Sequence, residues 1–145
     1  MRLGAKGRYA VTALADIAAQ GAGRTVPLSD IATRQAISVA FLEQIFTRLR
    51  RAGLVESVRG PGGGYRLSGP PEGLTLSAVI NAVEEPIRTT GCVAGSPRAC
   101  TGAKGRCLTH HLWEDLGRHI ETYFDRRTLA DVAQPRDRAA GGAPG

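Results

Sequence analysis

Seven aromatic residues in 145 leave little bulky material for a core, so the interior of this chain must be mostly aliphatic. Lysine is scarce as well, since 17 of the 19 basic residues are arginine. A G+C-rich genome explains that preference without any function, although guanidinium forks also suit phosphate. No run approaches the roughly 20 apolar residues that span a bilayer, so no membrane-spanning helix is expected. The start, Met1-Arg2-Leu3-Gly4-Ala5-Lys6, leads into a stretch interrupted by Arg8 and Asp16. It is expected to be neither a signal peptide nor an anchor. Cysteine is limited to three residues, an odd number, all between positions 92 and 107. That argues against a secreted disulfide scaffold and for a cytoplasmic metal or redox site. Paired carboxylates, a Ser/His/Asp set and a nucleotide loop are all missing, which weighs against an enzyme.

What the chain does contain is uneven charge. With 42% hydrophobic and 22% charged residues the composition is globular, and the length suits one domain or one small domain with an appended element. Residues 1–70 hold ten Lys/Arg against four Asp/Glu, whereas residues 71–145 hold nine against nine. The whole formal charge of +6 therefore sits in the first half. A basic front half points to a polyanionic partner and leaves the neutral back half for another task.

The apolar positions of the basic half are spaced as helices. Ala10, Val11, Ala13, Leu14, Ile17 and Ala18 form a stripe that Gly21 stops. A short second helix runs from near Pro27-Leu28 to Gln35, and Ala36-Ile37 makes a brief break. Ser38 is a good N-cap for a third helix that buries Leu42, Ile45, Phe46 and Leu49 and stops at Gly53. Two short helices around a tight break form the helix-turn-helix pattern. The open side of the third helix offers Ala40, Glu43, Gln44 and Thr47, then Arg48, Arg50 and Arg51. Gln44 can pair with adenine and Glu43 can accept from cytosine, while the later arginines reach phosphate. Helix spacing alone fits a small bundle with a solvated charged face equally well. Residues 54–59 and 65–67 break the tie, because they read as two strands around the bare tip Gly60-Pro61-Gly62-Gly63-Gly64, flanked by Arg59 and Arg66. This is a basic wing rather than a nucleotide loop, which would lead into a helix through Lys-Ser/Thr.

Four stretches carry a resemblance: Lys6-Gly7-Arg8-Tyr9-Ala10-Val11, Phe41-Leu42-Glu43-Gln44-Ile45-Phe46, Arg50-Arg51-Ala52-Gly53-Leu54-Val55 and Arg59-Gly60-Pro61-Gly62-Gly63-Gly64-Tyr65. Over residues 1–133 the chain resembles the IscR-type regulators, iron–sulfur-sensing members of the Rrf superfamily of winged-helix transcription factors. The resemblance implies a mainly α fold with a small β-hairpin wing, a homodimer, and a third helix in the major groove of double-stranded DNA at a pseudo-palindromic operator. The residues expected at DNA are Lys6, Arg8 and Tyr9, then Ser38, Ala40, Glu43 and Gln44, then Arg48, Arg50 and Arg51, and at the wing Arg59, Pro61, Gly62 and Gly63. Ala40 stands where relatives often place serine.

The neutral half reads as a metal loop on a dimerisation helix. Gly69-Pro70-Pro71-Glu72-Gly73 is a linker, and Thr75 caps a fourth helix that buries Leu76, Val79, Ile80 and Val83. Residues 86–106 lack apolar period and form a long loop. Beyond it Leu108, Leu112, Leu116, Ile120 and Phe124 recur every four residues, with Trp113, His119 and Tyr123 widening the stripe. Such a helix buries its surface against a second chain or against the first helix of its own chain. Residues 128–132 suggest a last turn, and residues 134–145 a disordered tail. The expected organisation is thus a winged helix-turn-helix over 1–70, a metal-binding loop with dimerisation helices over 71–133, and the tail.

Cys92-x7-Cys100-x6-Cys107-x2-His110 supplies four soft or borderline metal ligands. Thiolates suit zinc or an iron–sulfur cluster, and residue types alone do not separate them. The lack of a tight Cys-x2–4-Cys knuckle argues mildly against zinc, and His111 is as well spaced from Cys107 as His110 is. The stretch Cys107-Leu108-Thr109-His110-His111-Leu112-Trp113 is similar to the family's Cys-Leu-Thr-His-x-Leu-Trp. The resemblance implies a [2Fe-2S] cluster on Cys92, Cys100, Cys107 and His110, and repression of iron–sulfur cluster biogenesis genes. The spacers between the cysteines are longer than the commonest family form.

Overall fold

A computed structural model describes residues 4–21, 23–84, 89 and 108–133 of the chain. Ala10, Ala13, Leu14 and Ile17 share one face of α1 (Ala5–Ala19) and are buried together. Helix α2 (Leu28–Gln35) buries Ile31 and ends on Ala36, which turns left-handed at φ 54° so that the chain can reverse toward α3. A non-glycine residue rarely adopts this conformation, and the tight helix-turn-helix break is what imposes it. Helix α3 (Val39–Arg51) starts where the Ser38 hydroxyl accepts the Phe41 N–H at 3.1 Å. It buries Leu42, Ile45, Phe46 and Leu49, as its spacing predicts.

Strands β1 (Val55–Val58) and β2 (Gly64–Leu67) pair antiparallel, with Val55 opposite Leu67 and Val58 opposite Gly64. Val26 adds a bridge on the far side of β2, exchanging hydrogen bonds of 2.8 and 2.9 Å with Tyr65. The linker expected over 69–73 is partly ordered, as a single 3-10 turn at Pro71–Gly73. Helix α4 (Leu76–Val83) is capped by Thr75, whose hydroxyl accepts the Ala78 N–H. Helix α5 (His110–Arg126) and the short α6 (Leu129–Ala133) complete the described structure.

One core joins the two halves. Leu74, Leu76, Val79 and Val83 from α4 and its approach, and Leu129 from α6, belong to the same buried cluster as Leu14, Ile31, Phe46 and Val55. Hydrogen bonds from Leu76 N–H to Arg127 and from Leu129 N–H to Leu74 stitch α6 to the start of α4. Residue 70 therefore marks a change in charge, not a gap between cores. Helix α5 rests on α4 rather than on α1. Ile120 and Phe124 line a depression between the two helices together with Ile80, and they and Leu116 are half-buried within the chain itself. Leu108, Leu112, Trp113 and Tyr123 remain exposed, Leu112 by 59%.

Candidate nucleic-acid interface and metal site

The outward face of α3 carries Ala40, Glu43, Gln44, Arg48, Arg50 and Arg51, all exposed. At about 100° per residue they do not share one line. Ala40, Gln44 and Arg51 run along the crest opposite the buried stripe, with half-buried Thr47 beside them. Glu43 and Arg50 share one flank, and Arg48 occupies the other. There the Arg48 guanidinium donates to the Val83 carbonyl at 3.3 Å, tying the helix to the end of α4. The three arginines, a single group in the sequence, thus occupy three different positions. The Thr47 hydroxyl donates to the Glu43 carbonyl at 2.8 Å. Ser38 serves first as the helix cap, its oxygen already accepting from Phe41.

The start of α1 meets this face. Tyr9 packs edge-on against Phe41 with ring centroids 5.5 Å apart, and the Arg8 guanidinium lies 6.0 Å from the Tyr9 ring. Lys6, Gln44, Arg48 and Arg51 surround a depression of about 330 Å³ floored by Phe41 and Ile45. Three cationic side chains and one amide donor therefore converge on one concave surface, an arrangement suited to a phosphate backbone beside a base edge.

The wing stands next to α3 because Tyr65 packs against Phe46, with ring centroids 4.8 Å apart and the rings tilted by 52°. Its tip is held by a hydrogen bond from Gly63 N–H to the Gly60 carbonyl at 2.8 Å. Arg59, Gly60, Pro61 and Gly62 are exposed there, and Gly63 is half-buried. Arg66 faces Glu56 across the sheet in a 2.9 Å ion pair. Much of its charge is thereby balanced within the wing, unlike the sequence expectation of a basic flank.

Sequence reasoning missed one group that positions this interface. Asp16, seen only as an interruption of an apolar stripe, is buried and accepts two hydrogen bonds from Arg34, at 2.9 and 2.7 Å, and one from Gln35 at 2.8 Å. It locks α1 to the end of α2, just before the turn into α3. Burial pushes its carboxyl up, but the hydrogen bonds from Arg34 and Gln35 and the Arg34 charge outweigh this and hold it below its ordinary value. A single acid inside an apolar helical stripe was the available signal.

Of the expected metal ligands, Cys92, Cys100 and Cys107 lie outside the described residues. His110 lies within them, as the first residue of α5, and is 2% exposed. Its Nε2 is 2.6 Å from a Glu114 carboxylate oxygen, and the other oxygen accepts from Arg118 at 3.0 Å. The hydrogen bond to His110 is the main cause that lowers the Glu114 carboxyl from its ordinary value. His111 is exposed, its ring edge-on to that of His110. Among the described residues no three His, Cys, Asp or Glu side chains gather as a metal site. A buried imidazole whose ring is held by a carboxylate is nevertheless the setting of many metal-bound histidines, so the one described ligand fits the donor set. Among the described residues no helix is long and apolar enough to cross a membrane.

Comparison with known proteins agrees with this geometry. Residues 3–135 match the model of the Rrf2 family, described as iron-dependent transcriptional regulators. The chain belongs to the Rrf2 family. It is 48% identical over 137 residues to the HTH-type transcriptional regulator IscR of Yersinia pseudotuberculosis, covering 94% of this chain and 82% of that protein. An HTH-type transcriptional regulator of Haemophilus influenzae is 49% identical over 137 residues, covering 94% of this chain and 89% of that protein. Among solved structures, T. potens IscR matches with a TM-score of 0.73 and 33% identity, covering 100% of this chain and 92% of that one. CymR, the global cysteine regulator of B. subtilis, matches with a TM-score of 0.76 and 30% identity, covering 92% and 96%. The chain is thus a winged-helix, DNA-binding transcriptional regulator of the Rrf2 type and not an enzyme.

Proposed function

We propose that this Rrf2-family regulator is a cytoplasmic homodimeric repressor of iron–sulfur cluster biogenesis genes, controlled by occupancy of a [2Fe-2S] cluster. Cys92, Cys100, Cys107 and His110 would hold the cluster. When bound, it supplies a redox-active and losable link between the cysteine-bearing segment and α5. The observation that carries the reading is His110 itself, buried at the first turn of α5, while Leu112, Trp113 and Tyr123 of the same helix are exposed. One helix then begins at the ligand and continues as the dimer surface, so a change at the ligand bears on how two reading heads are held. Those heads must stand about 34–36 Å apart, or a multiple of that, to enter successive major grooves of a pseudo-palindromic operator.

At each half-site Gln44 and Glu43 read bases, and Lys6, Arg50 and Arg51 contact phosphate. Arg8, Tyr9, Ser38 and Ala40 line the approach to the groove. Arg59, Pro61, Gly62 and Gly63 enter from the wing. Arg48 acts from its place beside α4. Glu43 favours sites where cytosine offers its amino group and penalises others, which separates two classes of operator.

The test is the visible absorption spectrum of anaerobically purified protein, repeated on Cys92→Ala and His110→Ala. A coloured wild type and bleached variants are expected. A colourless, zinc-containing wild type would sink the cluster assignment.

A further inference from the structure

The pair made by His110 and Glu114 is not an ordinary surface pair one helical turn apart. Its imidazole is 2% exposed while its carboxylate is partly open to solvent. The carboxylate is also fixed from behind, because its second oxygen accepts from Arg118 one turn further along α5 at 3.0 Å. Arg118 in turn is paired with Asp115. His110, Glu114 and Arg118 therefore form a ladder along one side of the helix, with its buried end at the ring.

A carboxylate oxygen 2.6 Å from Nε2 accepts a hydrogen there. This favours the tautomer that carries its proton on Nε2 and directs the lone pair of Nδ1 away from the helix ladder. We propose that Glu114 is a positioning residue for the metal-ligating ring of His110, fixing Nδ1 as the ligating nitrogen and slowing loss of the cluster. The proposal rests on the reading of His110 as a ligand and adds which ring nitrogen binds and what holds it. Partner carboxylates of this kind orient the ring and strengthen it as a donor, and their loss typically costs about 10–100-fold in metal affinity. Arg118 keeps the carboxylate in place and acts one step further back.

The experiment uses the full chain, loaded anaerobically, as wild type, Glu114→Gln, Glu114→Ala and Arg118→Ala. Cluster loss to an iron chelator is followed by decay of visible absorption. In cluster-free protein, nitrogen NMR of the histidine rings reads which nitrogen of His110 carries the proton. Glu114→Ala is expected to lose the cluster about 10–100-fold faster than wild type. Glu114→Gln, which keeps an acceptor oxygen, falls between them, and Arg118→Ala shows a smaller acceleration. The cluster-free wild type should show the proton on Nε2, and Glu114→Ala a mixture of tautomers at unchanged helix content. Loaded wild type and Glu114→Ala with equal loss rates and the same tautomer would overturn the proposal alone. A wild type that takes up no cluster overturns the functional reading and the proposal with it.

Discussion

Two glycines of the wing separate conformational strain from collision. Gly64 has a φ of +154°, and a Cβ built there would overlap the Val26 carbonyl oxygen and crowd Pro27. Gly62 also has a positive φ, +75°, but a Cβ there meets open space. Gly64→Ala therefore pushes β2 away from Val26 and breaks the two bridging hydrogen bonds between Val26 and Tyr65. Two such bonds are worth about 1 kcal/mol each, and a strained backbone adds about 1–3 kcal/mol. The expected loss is about 3 kcal/mol, a large share of the roughly 5–15 kcal/mol that holds a domain together. Gly62→Ala has only the left-handed penalty of about 1–2 kcal/mol, partly offset by a less mobile unfolded chain, so about 1 kcal/mol remains. Urea unfolding followed by far-UV circular dichroism checks both. With a slope of about 1–3 kcal/mol per molar, Gly64→Ala moves the midpoint down by about 1–3 M and Gly62→Ala by a third of that. Equal midpoints for the two variants would refute the role assigned to the Val26 bridge. In DNA binding the order reverses once both are folded, because the Gly62 methyl points into the space proposed for the groove.

Three further outcomes follow from the same geometry. The Asp16 carboxyl titrates lower folded than unfolded, so its contribution is complete above the unfolded value of about 3.9 and is lost as pH falls through the folded value. Thermal melts should then show wild type losing stability below about pH 4 more steeply than Asp16→Asn, and parallel curves would contradict it. Arg51, on the crest of α3, should contact phosphate, so Arg51→Ala lowers the slope of log affinity against log salt by about one. Arg66→Ala should change that slope less, since Glu56 already balances it; fluorescence anisotropy across a salt series distinguishes the two. Leu112, 59% exposed, should lie in the dimer contact, so Leu112→Glu shifts sedimentation toward monomer while helix content holds.

The helix-turn-helix was legible because its information is local. The four buried residues of α3 follow the helical period, and Ser38 stands directly before them as a cap. The wing was legible from glycines between two short runs. What escaped depends on residues distant in the chain. Asp16 meets Arg34 across 18 positions, and no spacing rule connects them. The direction of Arg48 follows from where α4 docks, because its partner is the Val83 carbonyl. The shared core was hidden for the same reason, since Leu129 enters it where α6 packs on α1 and its N–H donates to the Leu74 carbonyl. His110 and Glu114 are four apart and could have been paired from the sequence. The long helix was expected to pack on a second chain or on α1, whereas within the chain it packs on α4, a choice that no spacing inside α5 reveals.

The central claim is that cluster occupancy sets DNA binding. Its most direct test is an anaerobic anisotropy titration of operator-like fragments with one preparation, loaded, then stripped of its cluster, then reloaded. The account predicts that affinity, or the ranking of fragments, changes on stripping and returns on reloading. Identical affinities for every fragment in all three states would contradict it.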